Sequence, residues 1–90
     1  MIYLRNEDFS FRKLDDEYFI IDTHQKKQAH KLNEMASLIW DLCNGKNSQE
    51  KMVSAICAQF DQDEAIVRSD VEETIKKFLE LKLIVDIENS

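Results

Sequence analysis

The order of hydrophobic patterns in this sequence predicts an α+β fold, a three-stranded antiparallel sheet followed by three helices. Three observations carry that expectation. Between residues 8 and 32 the apolar side chains alternate with polar ones or come in a short aromatic and β-branched run. After residue 33 they recur at three- and four-residue spacing in three successive stretches. Each of those stretches follows an Asn, Ser or Asp, the side chains that cap helix N-termini.

Phe9 and Phe11 alternate with Ser10 and Arg12, the period of a half-buried strand. Asp15-Asp16-Glu17 breaks the pattern as a polar turn, and Tyr18-Phe19-Ile20-Ile21 supplies the second strand. Asp22-Thr23-His24-Gln25-Lys26 reads as a second turn. Lys27-Gln28-Ala29-His30-Lys31-Leu32 is polar, so it reads as an edge strand or a loop. A helix is expected over residues 33–43, capped by Asn33, with Met35, Leu38, Ile39, Leu42 and Cys43 on one face and Trp40 in the core. Gly45, the single glycine, falls where a left-handed C′ residue ends a helix. A second helix runs from about Ser48 to Gln59, capped by Asn47 or Ser48, and Asn47 with Glu50 has capping-box spacing. A third runs from about Asp63 to Leu81, with Asp63 as cap and Val67, Val71, Ile75, Phe78 and Leu79 along one face. Residues 83–87 form a last short strand or a tail on the core. Three helices with a β-ribbon beside them suit a winged helix-turn-helix-like layout.

Composition narrows the function. The 90 residues are one small domain, expected over 1–90, with 12 Lys and Arg against 18 Asp and Glu, a formal charge of −6. The third helix sets Glu64, Asp70, Glu72, Glu73 and Glu80 against Arg68, Lys76 and Lys77, a balance that repels phosphates and opposes a nucleic-acid partner. No apolar run approaches the roughly 20 residues that span a bilayer, and the first residues lack a signal-peptide core, so a cytoplasmic protein with no membrane partner is expected. Cys43 and Cys57 sit in apolar helical patterns and read as small buried side chains. His24 and His30 are the only histidines, and nothing has zinc-ligand spacing, so no metal or cofactor is expected. Asp15-Asp16-Glu17 reads as a solvated turn and nothing orients Cys43 against His30, so no enzyme is expected.

The stretch from Ala29 to Gly45 adds a resemblance. Leu32-Asn33, then Ile39-Trp40, then Gly45 is similar to the central signature of the PqqD-like family, a strand ending in Leu-Asn, a helix carrying Ile-Trp and a glycine. Further on, Gln59-Phe60-Asp61 precedes an acidic helix start, and Asp70-Val71 leads to Phe78-Leu79-Glu80-Leu81 and the apolar Leu83-Ile84. The similarity spans residues 9–87. It implies a non-catalytic recognition element that binds the leader of a ribosomally made precursor peptide. The leader is then presented to a separate modifying enzyme, a radical SAM maturase or, in lasso-peptide systems, a leader peptidase. It also implies that the leader adds a strand between the third strand and the third helix. That assigns Lys27, Gln28, Ala29, His30 and Lys31 to one wall, and Val67, Arg68, Val71, Glu72 and Ile75 to the other. Lys26, Lys27 and Lys31 would favour acidic leader residues, and Asp70, Glu72 and Glu73 basic ones. Lys82 stands where many relatives carry glycine. Two other functions compete: an assembly module that docks on a folded partner, and a winged-helix DNA-binding regulator that the charge opposes. An edge strand can also pair with its own copy in a homodimer.

Overall fold

Among the described residues, two antiparallel three-stranded sheets and three helices enclose one cluster of buried side chains. The computed structural model describes residues 2–15, 17–22 and 29–88. The elements run β1 (Ile2–Arg5), β2 (Phe9–Leu14), β3 (Glu17–Asp22), β4 (Ala29–Lys31), α1 (Glu34–Leu42), β5 (Asn44–Ser48), α2 (Gln49–Gln59), α3 (Glu64–Glu80) and β6 (Ile84–Asp86).

The sheet β2-β3-β4 is the one the alternation predicts. β2 and β3 pair from Phe9↔Asp22 to Leu14↔Glu17, so the turn between them starts at Asp15. Asp15 has φ +57°, the left-handed conformation a tight hairpin needs and a short polar side chain tolerates. β4 pairs with β3 through Phe19↔Lys31, Ile20↔His30 and Ile21↔Ala29. The polar third segment is therefore an edge strand, as its composition suggests; Lys26, Lys27 and Gln28 lie outside the described residues.

The second sheet, β5-β1-β6, has no full counterpart in the sequence reading. Residues 83–87 do contain the expected last strand, but β1 and β5 are additions. β5 reads Asn-Gly-Lys-Asn-Ser, with no β-branched or aromatic residue, and it exists because β1 supplies a partner. Gly45 does adopt a left-handed φ of +82°, but inside β5 rather than at C′ of α1, whose C-cap is Cys43. The register slips between Ile2↔Ser48 and Leu4↔Asn44, and the positive φ of Gly45 accommodates the extra residues there.

The helix starts follow their caps. Asn33 Oδ1 accepts from the Ala36 N–H at 2.8 Å, and Asp63 Oδ1 from the Ala65 N–H at 2.8 Å. Ser48, not Asn47, caps α2, its Oγ accepting from the Lys51 N–H at 3.3 Å. Asn47 instead donates to the Leu42 carbonyl at 3.1 Å. α1 has no basic residue in its last turn. Arg5 of β1 serves from outside, its Nη1 donating to the Trp40 and Asp41 carbonyls at 3.0 and 3.1 Å. α3 ends in a Schellman motif. The Lys82 N–H donates to the Leu79 carbonyl at 3.1 Å and the Leu83 N–H to the Phe78 carbonyl at 2.9 Å, with Lys82 at φ +62°.

Trp40 is buried as expected, with its ring edge-to-face against Phe78 at 5.8 Å and Phe11 at 5.7 Å. Leu79, expected on the buried face of the third helix, is exposed, because the apolar stripe passes through Val67, Val71, Ile75 and Phe78.

Candidate functional site

β4 lies at the edge of its sheet, with β3 on one side and no strand on the other among the described residues. The Leu32 N–H donates to the Tyr18 carbonyl at 2.8 Å, which sets the alternation of the ladder. His30, two residues back and opposite Ile20, turns its backbone groups toward β3. Ala29 and Lys31 therefore turn theirs to the open edge, where an extended chain can take them up.

Ser37 of α1 fixes this edge in place. It is buried, its Oγ accepts from the Tyr18 N–H at 2.9 Å, and its hydroxyl donates to the Leu32 carbonyl at 3.2 Å. One hydroxyl thus ties β3 and the end of β4 to α1. Tyr18 adds a second tie, its phenol donating to Asp41 Oδ1 at 2.5 Å. Burial first, and then that hydrogen bond, push the Tyr18 pKa up to about 12.

Beside β4 lies a groove of about 530 Å³. Ala29, His30, Lys31 and Leu32 line it from the strand, Met35 and Ala36 from α1, and Asp70, Glu73, Thr74, Lys77 and Phe78 from α3, with Leu81 and Leu83 just past that helix. From Asp70 to Leu81 is 11 steps along the helix and its C-cap, about 16 Å. Five extended residues cover about the same length.

The strand side contains Ala29, His30 and Lys31, as the sequence suggests. The helix side does not contain the five residues assigned to it. Val67, Val71 and Ile75 are buried in the core. Arg68 turns to α2, where it forms a two-pronged pair with Glu50, one arm at 3.1 Å and the other, Nη1 to Oε1, shorter. That partner holds the Glu50 carboxyl below its usual range. Glu72 is exposed but off the groove. The reason is angular. At about 100° per residue, the stripe Asp70, Glu73, Thr74, Lys77 and Leu81 lies about a quarter turn round the helix from Val67, Val71 and Ile75. The apolar stripe marks what the helix buries against the core, and the groove runs along the polar strip beside it.

Charge along the groove is also rearranged. Lys31 Nζ is 3.5 Å from Glu17 Oε1 and lies over the Phe19 ring, so its ammonium serves the outer face of the sheet. Asp70 and Glu73 remain on the helix side with Lys77 one turn further.

Cys43 is not among the residues that line the groove. Its thiol is buried, and burial pushes its pKa up to about 12, against a lowering influence of Arg5. Among the described residues no group of three or more His, Cys, Asp or Glu is placed to hold a metal ion. Among the same residues no helix is long and apolar enough to cross a membrane.

The fold and groove define a class: an α+β domain whose open strand edge faces a helix across a channel that fits an extended chain. Comparison with known proteins bears on the family and the fold. Residues 17–84 match the family profile described as Coenzyme PQQ synthesis protein D (PqqD), and the chain belongs to that family. No curated protein matches the chain. Three solved structures share the fold. TbiB1 in complex with the TbiA(beta) leader peptide is 23% identical with a TM-score of 0.79, over 90% of this chain and 93% of that one. Lasso peptide synthetase B1 complexed with its leader peptide is 13% identical with a TM-score of 0.83, over 96% and 100%. The heterocyclase TruD is 14% identical with a TM-score of 0.66, over 99% of this chain and 12% of that one.

Proposed function

We propose that this protein is a non-catalytic recognition element that binds the leader of a ribosomally made precursor peptide and presents it to a separate modifying enzyme. The observation that carries this reading is the open β4 edge bordering a groove about five extended residues long. Membership of the PqqD family and the shared fold of two proteins described in complex with leader peptides support it.

In this reading the leader enters as a strand beside β4. The outward backbone groups of Ala29 and Lys31 supply affinity with little demand on sequence. Lys27 and Gln28, assigned to the same wall from the sequence, lie outside the described residues. Alternate leader side chains descend toward Met35, Ala36, Phe78 and Leu83, and Asp70, Glu73, Thr74 and Lys77 take the place of Val67, Val71 and Ile75 as the helix wall. A leader that is disordered when free loses conformational entropy on binding, so moderate affinity is expected. The partner enzyme is a radical SAM maturase or a leader peptidase, and the protein acts in the cytoplasm without a cofactor.

The test is an amide NMR titration of the protein with the leader half of the precursor peptide encoded beside it. Saturable shifts concentrated at residues 29–32 and 70–81 are the expected result. Shifts confined to the β5-β1-β6 sheet, or none until the partner enzyme is added, would refute strand addition at β4 and favour docking on a folded partner.

A further inference from the structure

Resting on the leader-binding reading above, we infer that the groove selects a leader segment with a cation, a carboxylate and an apolar side chain at alternate positions, matched to Glu73 with Asp70, to Lys77 and to Leu81.

The helix wall is ordered. Glu73, Lys77 and Leu81 line the groove at i, i+4 and i+8, so they recur about every 6.0 Å along α3. Alternate residues of an extended strand, those that share a face, recur about every 6.6–6.8 Å. Three successive groove-facing leader side chains therefore stay opposite these three residues with about 1.5 Å of accumulated drift, within the reach of long side chains. The facing groups are in turn anionic, cationic and apolar, and Asp70 reinforces the anionic end.

These charges are open to a ligand. Glu73 and Lys77 stand in the i, i+4 relation that favours pairing on a helix, yet form no ion pair with each other. Asp70 is likewise in no ion pair among the described residues. Their neighbours differ: Arg68 is held by Glu50 and Lys31 by Glu17. Neither of these two cations is therefore paired with the acidic end. The apolar end is formed by Leu81, with Phe78 and Leu83 behind it.

Four synthetic eleven-residue peptides of identical composition test this. Two carry Lys-Ser-Glu-Ser-Leu or its reverse at the centre, covering both strand directions. Two carry Glu-Ser-Lys-Ser-Leu or its reverse, with the charges exchanged. Affinity is read by NMR from the amides of residues 29–32. One of the first pair should bind about tenfold more tightly than its exchanged counterpart, as expected when two partly exposed pairs turn from attractive to repulsive. The double variant E73K/K77E should reverse that preference while keeping the wild-type circular dichroism. Equal binding of ordered and exchanged peptides at the groove would overturn the charge order and leave leader binding standing. If none of the four shifts these amides while the precursor leader does, the inference also fails. Failure of the leader itself would bring down the underlying reading.

Discussion

Lys82 is the residue at which the fold is most visibly under conformational cost. It is the C′ residue of α3 and sits at φ +62°, where the Cβ of any L-residue crowds the following carbonyl. That conformation costs a non-glycine residue roughly 1–2 kcal/mol. Glycine removes the crowding but loses more backbone freedom on folding, by about 0.5–1 kcal/mol. The Lys82→Gly variant should therefore be more stable by about 0.5–1 kcal/mol. For a domain of this size, that raises Tm by about 4–8 °C per kcal/mol. Both backbone hydrogen bonds of the motif persist, as does the Lys82 carbonyl's bond from Asn6 Nδ2 at 2.8 Å, so no contact offsets the gain. Thermal and urea melts followed by circular dichroism read the effect, with the urea m-value unchanged. Lys82→Asn should fall between Lys and Gly, and Lys82→Ala should gain nothing. If Ala raised Tm as much as Gly, the gain would come from removing a charge and the backbone argument would be refuted.

Three further outcomes are expected. Ser37→Ala leaves the buried Tyr18 N–H and Leu32 carbonyl short of a partner and should lower stability by about 2 kcal/mol, read by urea melts. Ala29→Pro removes an outward N–H and should weaken leader binding at least about tenfold with little change in Tm, whereas His30→Pro breaks the β3–β4 ladder and should destabilise the protein; calorimetric titration and melts separate the two, and Asp15→Ala serves as a neutral control for binding. The raised pKa values of Cys43, from 9.0 to about 12, and Tyr18, from 10.0 to about 12, mean that the folded protein holds protons the unfolded chain releases; their contribution is intact below about pH 9 and should decline toward pH 12, with a shallower decline in Tyr18→Phe, and a urea midpoint flat from pH 8 to 11 would refute it.

The sequence shows the helices well because their determinants are local. Asn33 and Asp63 announce their helices by their own chemistry, and the stripe through Val67, Val71 and Ile75 identifies the buried face of α3. The strands at Phe9 and Tyr18 are legible for the same reason, the first as a period-2 pattern and the second as a short aromatic and β-branched run. β1 and β5 are not, since their pairing joins residues forty or more positions apart and β5 carries no strand-forming side chain. On the candidate site, the polarity of β4 correctly signals an open edge. The groove runs along a different strip of α3 from Val67, Arg68, Val71, Glu72 and Ile75, because hydrophobic periodicity reports only what a helix buries; Asp70 and Glu73, which the sequence marks only by their charge, line it together with Lys77. Ser37 was missed although its signal is present: a lone hydroxyl between Met35 and Leu38 on an otherwise apolar helix face.

β1 and β6 lie side by side, with Tyr3 opposite Asp86 and the Ile87 N–H bonded to the Ile2 carbonyl at 3.0 Å. Topologically the described chain is a closed ring with its seam in the β5-β1-β6 sheet, while the groove belongs to the β2-β3-β4 side. A ring of this kind can be spliced into a longer polypeptide at its seam, entering by one strand and leaving by its neighbour, without crossing the groove. The same seam sets the entropy of assembly: its pairing closes a loop of nearly the whole chain, so the last contact in sequence terms is the one that joins the first strand to the rest.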